Sequence, residues 1–255
     1  MISIKTQKEI ESLRIGGQRL AQILKQVSLA VKPGVSSSEL NDLAHKLMIE
    51  GGDKPAFLHY KTAGAKPYPA SLCVSINDEI VHGIPNYEDK IIKEGDIVSL
   101  DAGLVHDGLI TDSAVSVIAG DGDALARKLV NATKEALSLA IKSARGGACV
   151  GDIGFAVSEV AKRNGFSVAE DLAGHGVGYK VHEDPFIPNY GKRGEGILLK
   201  AGMVIAIEPM FNEGSGRITA TDDGWTYKTR DGKRSAHFEH TIAITDGDPV
   251  ILTKD

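Results

Sequence analysis

Asp101, Asp112, His175, Glu208 and Glu239 are the side chains of this sequence best suited to hold metal, and each stands where a strand-like run begins or ends. Asp101 and Asp112 lie eleven residues apart, in Leu100-Asp-Ala-Gly and Ile110-Thr-Asp-Ser, so both acids sit among hydrophobics that ordinarily face a core. A buried carboxylate is costly unless it is paired, hydrogen-bonded or bound to metal. Four carboxylates and one neutral imidazole carry a formal charge of about −4, which two divalent cations would balance with positions left for water. The oxygen-rich set favours manganese, iron or cobalt, with zinc also accommodated. Two ions sharing bridging carboxylates can activate water and polarise a carbonyl together, which is hydrolytic chemistry. Taken singly, an Asp after a strand is a turn residue and a Glu before His-Thr-Ile is solvated; the phrasing around the five is what joins them.

Elements able to position these residues recur twice along the chain. Gly95-Asp-Ile-Val-Ser-Leu-Asp101 and Gly202-Met-Val-Ile-Ala-Ile-Glu208 each run from a glycine through strand residues to an acid. Gly34 lies five residues before Glu39, Gly147 lies five residues before Asp152, and His82-Gly-Ile-Pro85 echoes His182-Glu-Asp-Pro185 in the same order. This reads as an internal duplication, helix then His-Pro loop then strand with an acid, folded as one domain with pseudo-twofold symmetry and the site at the junction. The expected unit is the whole of 1–255, with halves of about 1–120 and 121–255.

Capping-box patterns at Thr6-Gln-Lys-Glu9 and Ser36-Ser-Ser-Glu39 open two amphipathic helices. The first places Ile10, Leu13, Leu20, Leu24 and Val27 on one face, and the second Leu40, Leu43, Leu47 and Met48. A long helix is expected from Asp123 to Arg145 and another from Ile153 to Asn164, each stopped by glycine. Strands are expected at Ser71–Ile76, Ile97–Leu100, Ala114–Ile118, Met203–Ile207 and Glu239–Ile244. A hairpin containing Trp225 is expected over 222–232, and an exposed loop between Tyr60 and Tyr68. Helices grouped with antiparallel strands make an α+β fold.

With 255 residues, 42% of them hydrophobic, the chain can bury a sizeable core. Its net charge of −5 argues against a nucleic-acid substrate. Two cysteines, Cys73 and Cys149, make neither a disulfide framework nor a zinc ligand set, which fits a reducing, cytoplasmic setting. The N-terminus lacks an apolar signal region, and no apolar run approaches the roughly 18 residues of a membrane span. The glycines of Gly174-His-Gly-Val-Gly178 let backbone approach the acids, but Tyr-Lys-Val-His follows them rather than the lysine and hydroxyl of a phosphate loop.

Taken together, Asn77-Asp-Glu-Ile-Val-His82-Gly-Ile-Pro85, the Asp101 and Asp112 pair, Gly174-His175-Gly-Val-Gly-Tyr-Lys-Val-His182, Ile207-Glu208-Pro-Met210 and Glu239-His-Thr-Ile242 resemble the motifs of the type I, bacterial-type methionine aminopeptidases. The resemblance implies a pita-bread fold and removal of the N-terminal methionine of nascent polypeptides whose second residue is small. It implies that Asp101 holds one divalent ion, that His175 and Glu208 hold the other, and that Asp112 and Glu239 bridge them. Glu208 would also move the proton. His182 would donate to the scissile carbonyl oxygen, and His82 would contact the departing peptide nitrogen. Tyr60, Tyr68, Cys73 and Trp225 would line the methionine pocket, where a thioether suits aromatic and sulfur neighbours. A sodium or potassium ion would lie by Asn77 and Ser235, with a main-chain carbonyl near Glu79.

Around the pocket the chain departs from the usual bacterial pattern. The loop between Tyr60 and Tyr68 is longer, Phe57 replaces a common cysteine, Val181 a common aromatic, and Leu172 a larger hydrophobic. These changes bear on pocket shape rather than on the chemistry. A monomer making transient contact with the ribosome, without membrane or nucleic-acid partners, completes the expectation. A proline-specific peptidase of the same fold is disfavoured by the short stretch before Asp101, and a non-catalytic binding module by the intact acids.

Overall fold

Thr6 and Glu9 cap the first helix reciprocally. The Glu9 carboxylate accepts from the Thr6 N–H at 2.7 Å, and Thr6 Oγ1 accepts from the Glu9 N–H at 3.3 Å. Helix α1 (Gln7–Ala30) follows, and α2 (Ser37–Glu50) opens on the same arrangement between Ser36 and Glu39. Such caps each contribute about 1 kcal/mol. Leu20, Leu24 and Val27 of α1 and Leu40, Ala44 and Met48 of α2 are buried against Val98, Leu100 and Leu104. Leu43 and Leu47 of the expected α2 face are only half-buried. Within α1, Gly16 gives up helix propensity to lie against a strand, since a Cβ there would stand 2.8 Å from the Cβ of His106.

Helix α3 (Ala124–Ser143) is capped by Asp123, whose carboxylate accepts from the Ala126 N–H at 2.7 Å. Helix α4 (Val150–Asn164) begins three residues before the expected Ile153. Asp152 accepts from the Cys149 N–H at 2.8 Å, which makes it a residue inside the first turn rather than the one preceding it. Leu129, Leu137, Ile153 and Val157 of this pair pack on Ile205, Ile207 and Ile242. Among the described residues, no helix is long and apolar enough to cross a membrane.

The computed structural model describes residues 2–61 and 66–254, so the centre of the loop expected between Tyr60 and Tyr68 lies outside the described residues. The two tyrosines are nonetheless neighbours, the Tyr68 N–H donating to the Tyr60 carbonyl at 2.8 Å.

Among the described residues, nine strands form the main sheet, all antiparallel. Its path runs Lys54–Pro55, Ile97–His106, Leu109–Ile118, Glu239–Ala243, Val204–Ile207, Ala173–Gly176 and Glu183–Pro188. Cys73–Ile76 also pairs with Ile97–His106, and Val250–Ile251 with Glu239–Ala243. The expected Ile97–Leu100 and Ala114–Ile118 are therefore the ends of one long hairpin. It turns at Asp107 and Gly108, both with positive φ as a tight two-residue turn requires. Its middle escapes a hydrophobic pattern because Asp101, Gly103 and Asp112 occupy it. The hairpin containing Trp225 is shifted: Ile218–Ala220 pairs with Tyr227–Thr229, and Trp225 lies in the turn, where Asp223 accepts from its N–H at 2.8 Å.

The repeat extends to backbone hydrogen bonds. Gly34 and Ile92 are joined as Gly147 and Leu199 are, at 2.8 and 3.0 Å. Gly95 donates to Ala119 as Gly202 does to Ile244, at 2.7 and 3.0 Å. All four glycines have φ between 82° and 92°, a left-handed conformation open to glycine at little cost. The two helix pairs cover one face of the sheet and leave the other for the acids.

Candidate metal centre

Strand register brings acids distant in sequence together. Residues directly opposite one another in an antiparallel sheet share a face, as do residues two apart on one strand. Cys73 is opposite Asp101, Asp101 opposite Ala114, and Ala114 opposite Glu239. A second row runs from His175 through Ala206 to Thr241. Asp112 is two residues from Ala114, and Glu208 two residues beyond Ala206. All five candidate ligands therefore project from the face opposite the helices, with two alanines leaving space among them. Leu100, Ile205, Ile207 and Ile242 alternate with them and enter the helix-side cores.

Buried hydroxyls fasten these strands. Thr241 Oγ1 accepts from the Asp112 N–H at 2.9 Å and donates to the Asp112 carbonyl at 2.7 Å. Ser113 donates to the Glu239 carbonyl at 2.8 Å. The acids' main chain is thus held by neighbours that leave their carboxylates free to face inward.

A carboxylate oxygen of Asp112, one of Glu239 and a ring nitrogen of His175 lie within 4.8 Å of one another. Asp101 Oδ1, Asp112 Oδ1 and Glu239 Oε1 are buried without a hydrogen-bond partner. Unsatisfied buried oxygens of this kind suit a cation. His175 Nδ1 donates to the Gly176 carbonyl at 2.9 Å, which leaves the Nε2 lone pair free, 3.3 Å from Glu208 Oε1. Without metal, burial pushes the Asp101 carboxyl up to about 7. Burial, reinforced by neighbouring acids, holds Asp112, Glu208 and Glu239 well above the carboxylate range. Burial lowers His175 to about 3, which keeps the imidazole neutral as a ligand must be.

The five residues open into a cavity of about 270 Å³ that also receives His82, His182, Tyr60, Tyr68, Cys73 and Trp225. The catalytic, metal-ligating and pocket residues expected from sequence thus all line one cavity, while Asn77 and Ser235 lie outside it. Phe57, Val181, Leu172 and Phe186 complete its apolar wall. Tyr68 is spent on structure, donating to the Gly83 carbonyl at 3.0 Å while Trp225 meets its ring edge-on at 5.4 Å between centroids. The Tyr60 hydroxyl lies 2.7 Å from His182 Nδ1, and the His182 ring is 4.4 Å from that of His175. Burial, with His182 nearby, lowers His82 to about 4. A larger cavity of about 700 Å³ lies on the helix side between α1 and α3 and contains none of the four acids or the imidazole.

Asn77 and Ser235 are also brought together, the Ser235 N–H donating to the Asn77 carbonyl at 2.7 Å. The Asn77 side chain is committed to Asp96 and the Ile97 N–H at 2.8 and 3.0 Å, so a cation here would have to use main-chain oxygens.

One polar side chain of the centre was not expected from sequence. His237 is 1% exposed, and its Nε2 stands 3.8 Å from Glu208 Oε2, behind the cavity. The available signal was its position two residues before Glu239, a strand-like interval.

Residues 11–246 match the family model "Metallopeptidase family M24". The chain is 51% identical to a methionine aminopeptidase of Aquifex aeolicus, over 99% of each chain. It is 39% identical to the methionine aminopeptidase of Escherichia coli K12, over 99% of this chain and 94% of that one. The crystal structure of the Thermotoga maritima methionine aminopeptidase superposes over 100% of both chains with a TM-score of 0.94, at 45% identity. A prolidase from Pyrococcus horikoshii shares the fold, with a TM-score of 0.77 at 23% identity over 98% of this chain and 63% of that one.

Proposed function

Since this chain belongs to metallopeptidase family M24 and is a metal-dependent hydrolase with methionine aminopeptidase function, we propose that Asp101, Asp112, His175, Glu208 and Glu239 hold two divalent cations and that the adjoining cavity receives the N-terminal methionine of a nascent polypeptide whose second residue is small. The observation that carries this reading is the convergence of all five side chains on one sheet face, three of them with an unsatisfied buried oxygen. Asp101 would hold one ion, His175 and Glu208 the other, and Asp112 and Glu239 would serve both. Manganese, iron, cobalt and zinc all suit these donors. When bound, the cations lower the pKa of water and polarise the scissile carbonyl.

The remaining work falls to the protein's own groups. Glu208 takes a proton from the attacking water and passes it to the leaving amine. The Tyr60 hydroxyl, donating to His182 Nδ1, fixes the tautomer in which His182 Nε2 carries the proton offered to the carbonyl oxygen. His82, neutral at physiological pH, contacts the peptide nitrogen. Cys73, Tyr68 and Trp225, with Phe57 and Val181, surround the thioether and exclude water.

A monovalent cation at the main-chain oxygens near Asn77 and Ser235, a monomeric state, a cytoplasmic setting and transient ribosome contact belong to the same proposal. Ribosome co-sedimentation tests the last.

Chelator-stripped protein, restored with manganese, cobalt, iron or zinc in turn, should release methionine from Met-Gly-Met-Met and little leucine from Leu-Gly-Met-Met. Cleavage of Met-Pro alone, or silence with every metal, would refute the reading.

A further inference from the structure

His237 is among the most deeply buried polar side chains of the protein, and neither of its ring nitrogens has a hydrogen-bond partner. Its main chain is fixed, the N–H donating to Ser116 Oγ at 2.8 Å and the carbonyl accepting from the same hydroxyl at 2.8 Å. The ring therefore has little freedom to seek solvent. A buried donor left unsatisfied is costly, so a neutral imidazole in such a place calls for an acceptor. Glu208 supplies one: His237 Nε2 is 3.8 Å from Glu208 Oε2, about 0.6 Å beyond the ~3.2 Å limit of a good N–H···O bond.

The other oxygen of the same carboxylate, Oε1, lies 3.3 Å from His175 Nε2. The two oxygens of Glu208 thus face two different imidazoles, one on the cavity side and one behind it. A Glu208 that ligates through Oε1 has Oε2 left to accept, and a hydrogen bond to an ionised acceptor is roughly twice as strong as one between neutral groups.

We propose that His237 is the positioning residue of Glu208: its Nε2–H donates to Oε2 when metal is present, which turns Oε1 toward the ion shared with His175. The proposal rests on the reading of Glu208 as a metal ligand. It accounts for the position of an otherwise orphaned imidazole, because a small turn of the Glu208 carboxylate brings Oε2 within reach of Nε2. It also separates two quantities that a packing residue would move together, metal affinity and the stability of the metal-free fold.

The test compares wild type, His237→Leu and His237→Gln. The leucine fills space without a donor, and the glutamine keeps an N–H at a similar reach. Calorimetric titration of manganese into chelator-stripped protein should show affinity lowered about 10- to 100-fold in H237L and within about threefold of wild type in H237Q. Thermal unfolding of the metal-free proteins should leave H237L as stable as wild type or more so, since it removes unsatisfied nitrogens. Wild-type affinity in H237L, or H237Q as weak as H237L, would overturn the assignment. Failure of wild type itself to take up manganese would overturn the metal-site reading instead, before any variant is compared.

Discussion

Replacing Asp101 by asparagine should stabilise the metal-free protein above neutral pH while weakening its hold on metal, two opposite effects from one side chain. Asp101 is 7% exposed, its Oδ1 has no partner, and burial carries its carboxyl from 3.8 to about 7. Between those two values the folded metal-free form keeps a proton that the unfolded chain has released. Stability therefore falls as pH rises through this window, and the favourable contribution is complete only at its acidic end. A shift of about 3 units at 1.36 kcal/mol each amounts to about 4 kcal/mol by pH 7.5. Asparagine keeps the shape, can accept from the protonated Asp112 carboxyl through its amide oxygen, and cannot ionise. For a chain of this size that difference corresponds to a gain in Tm on the order of 10 °C at pH 7.5, with the two proteins converging near pH 4. With manganese the order should invert, because the variant lacks a charged ligand and should bind at least about 100-fold more weakly. Denaturant titrations of chelator-treated and manganese-saturated proteins between pH 4 and 8 measure both effects. A metal-free variant less stable than wild type at pH 7.5, or wild-type stability that rises with pH without metal, would refute the reasoning.

His82→Ala and His182→Ala should keep wild-type manganese affinity and slow turnover by roughly 100-fold or more, and near-normal rates in both would remove their assigned roles. Tyr60→Phe deletes the hydroxyl 2.7 Å from His182 Nδ1 and should lower kcat/KM about 3- to 10-fold at unchanged metal affinity; steady-state kinetics beside manganese titration decide this, and an unaltered kcat/KM would count against it. Gly174→Ala would place a Cβ 2.3 Å from the Ala206 carbonyl oxygen, so it should cost about 1–3 kcal/mol and weaken manganese binding by displacing His175. Unchanged Tm and affinity in that variant would show that the strand can yield.

What local chemistry determines was legible in the sequence. The caps at Thr6 and Ser36 lie where the capping boxes indicate, and the glycines heading the two repeats carry the left-handed φ that explains their recurrence. The four acids and the imidazole were legible as a group because polar residues interrupt otherwise hydrophobic strands. The same interruption hid the middle of the long hairpin, whose strands continue through Asp101 and Asp112 on backbone bonds that do not depend on side-chain pattern. The start of α4 was placed late because Asp152 caps from within the first turn. His237 was missed because its significance lies in Glu208, which comes near through pairings between distant strands. Order and register in the sheet are long-range properties, and no local signal carries them.

Five side chains on one sheet face are proposed to hold two ions. Crystals of the protein soaked in manganese, with anomalous difference density measured at the manganese edge, test it directly. Two peaks about 3.5–4 Å apart are expected, both in contact with Asp112 and Glu239, one also touching Asp101 and the other His175 and Glu208. No peak at the cluster, or metal held elsewhere while these carboxylates stay unligated, would contradict it.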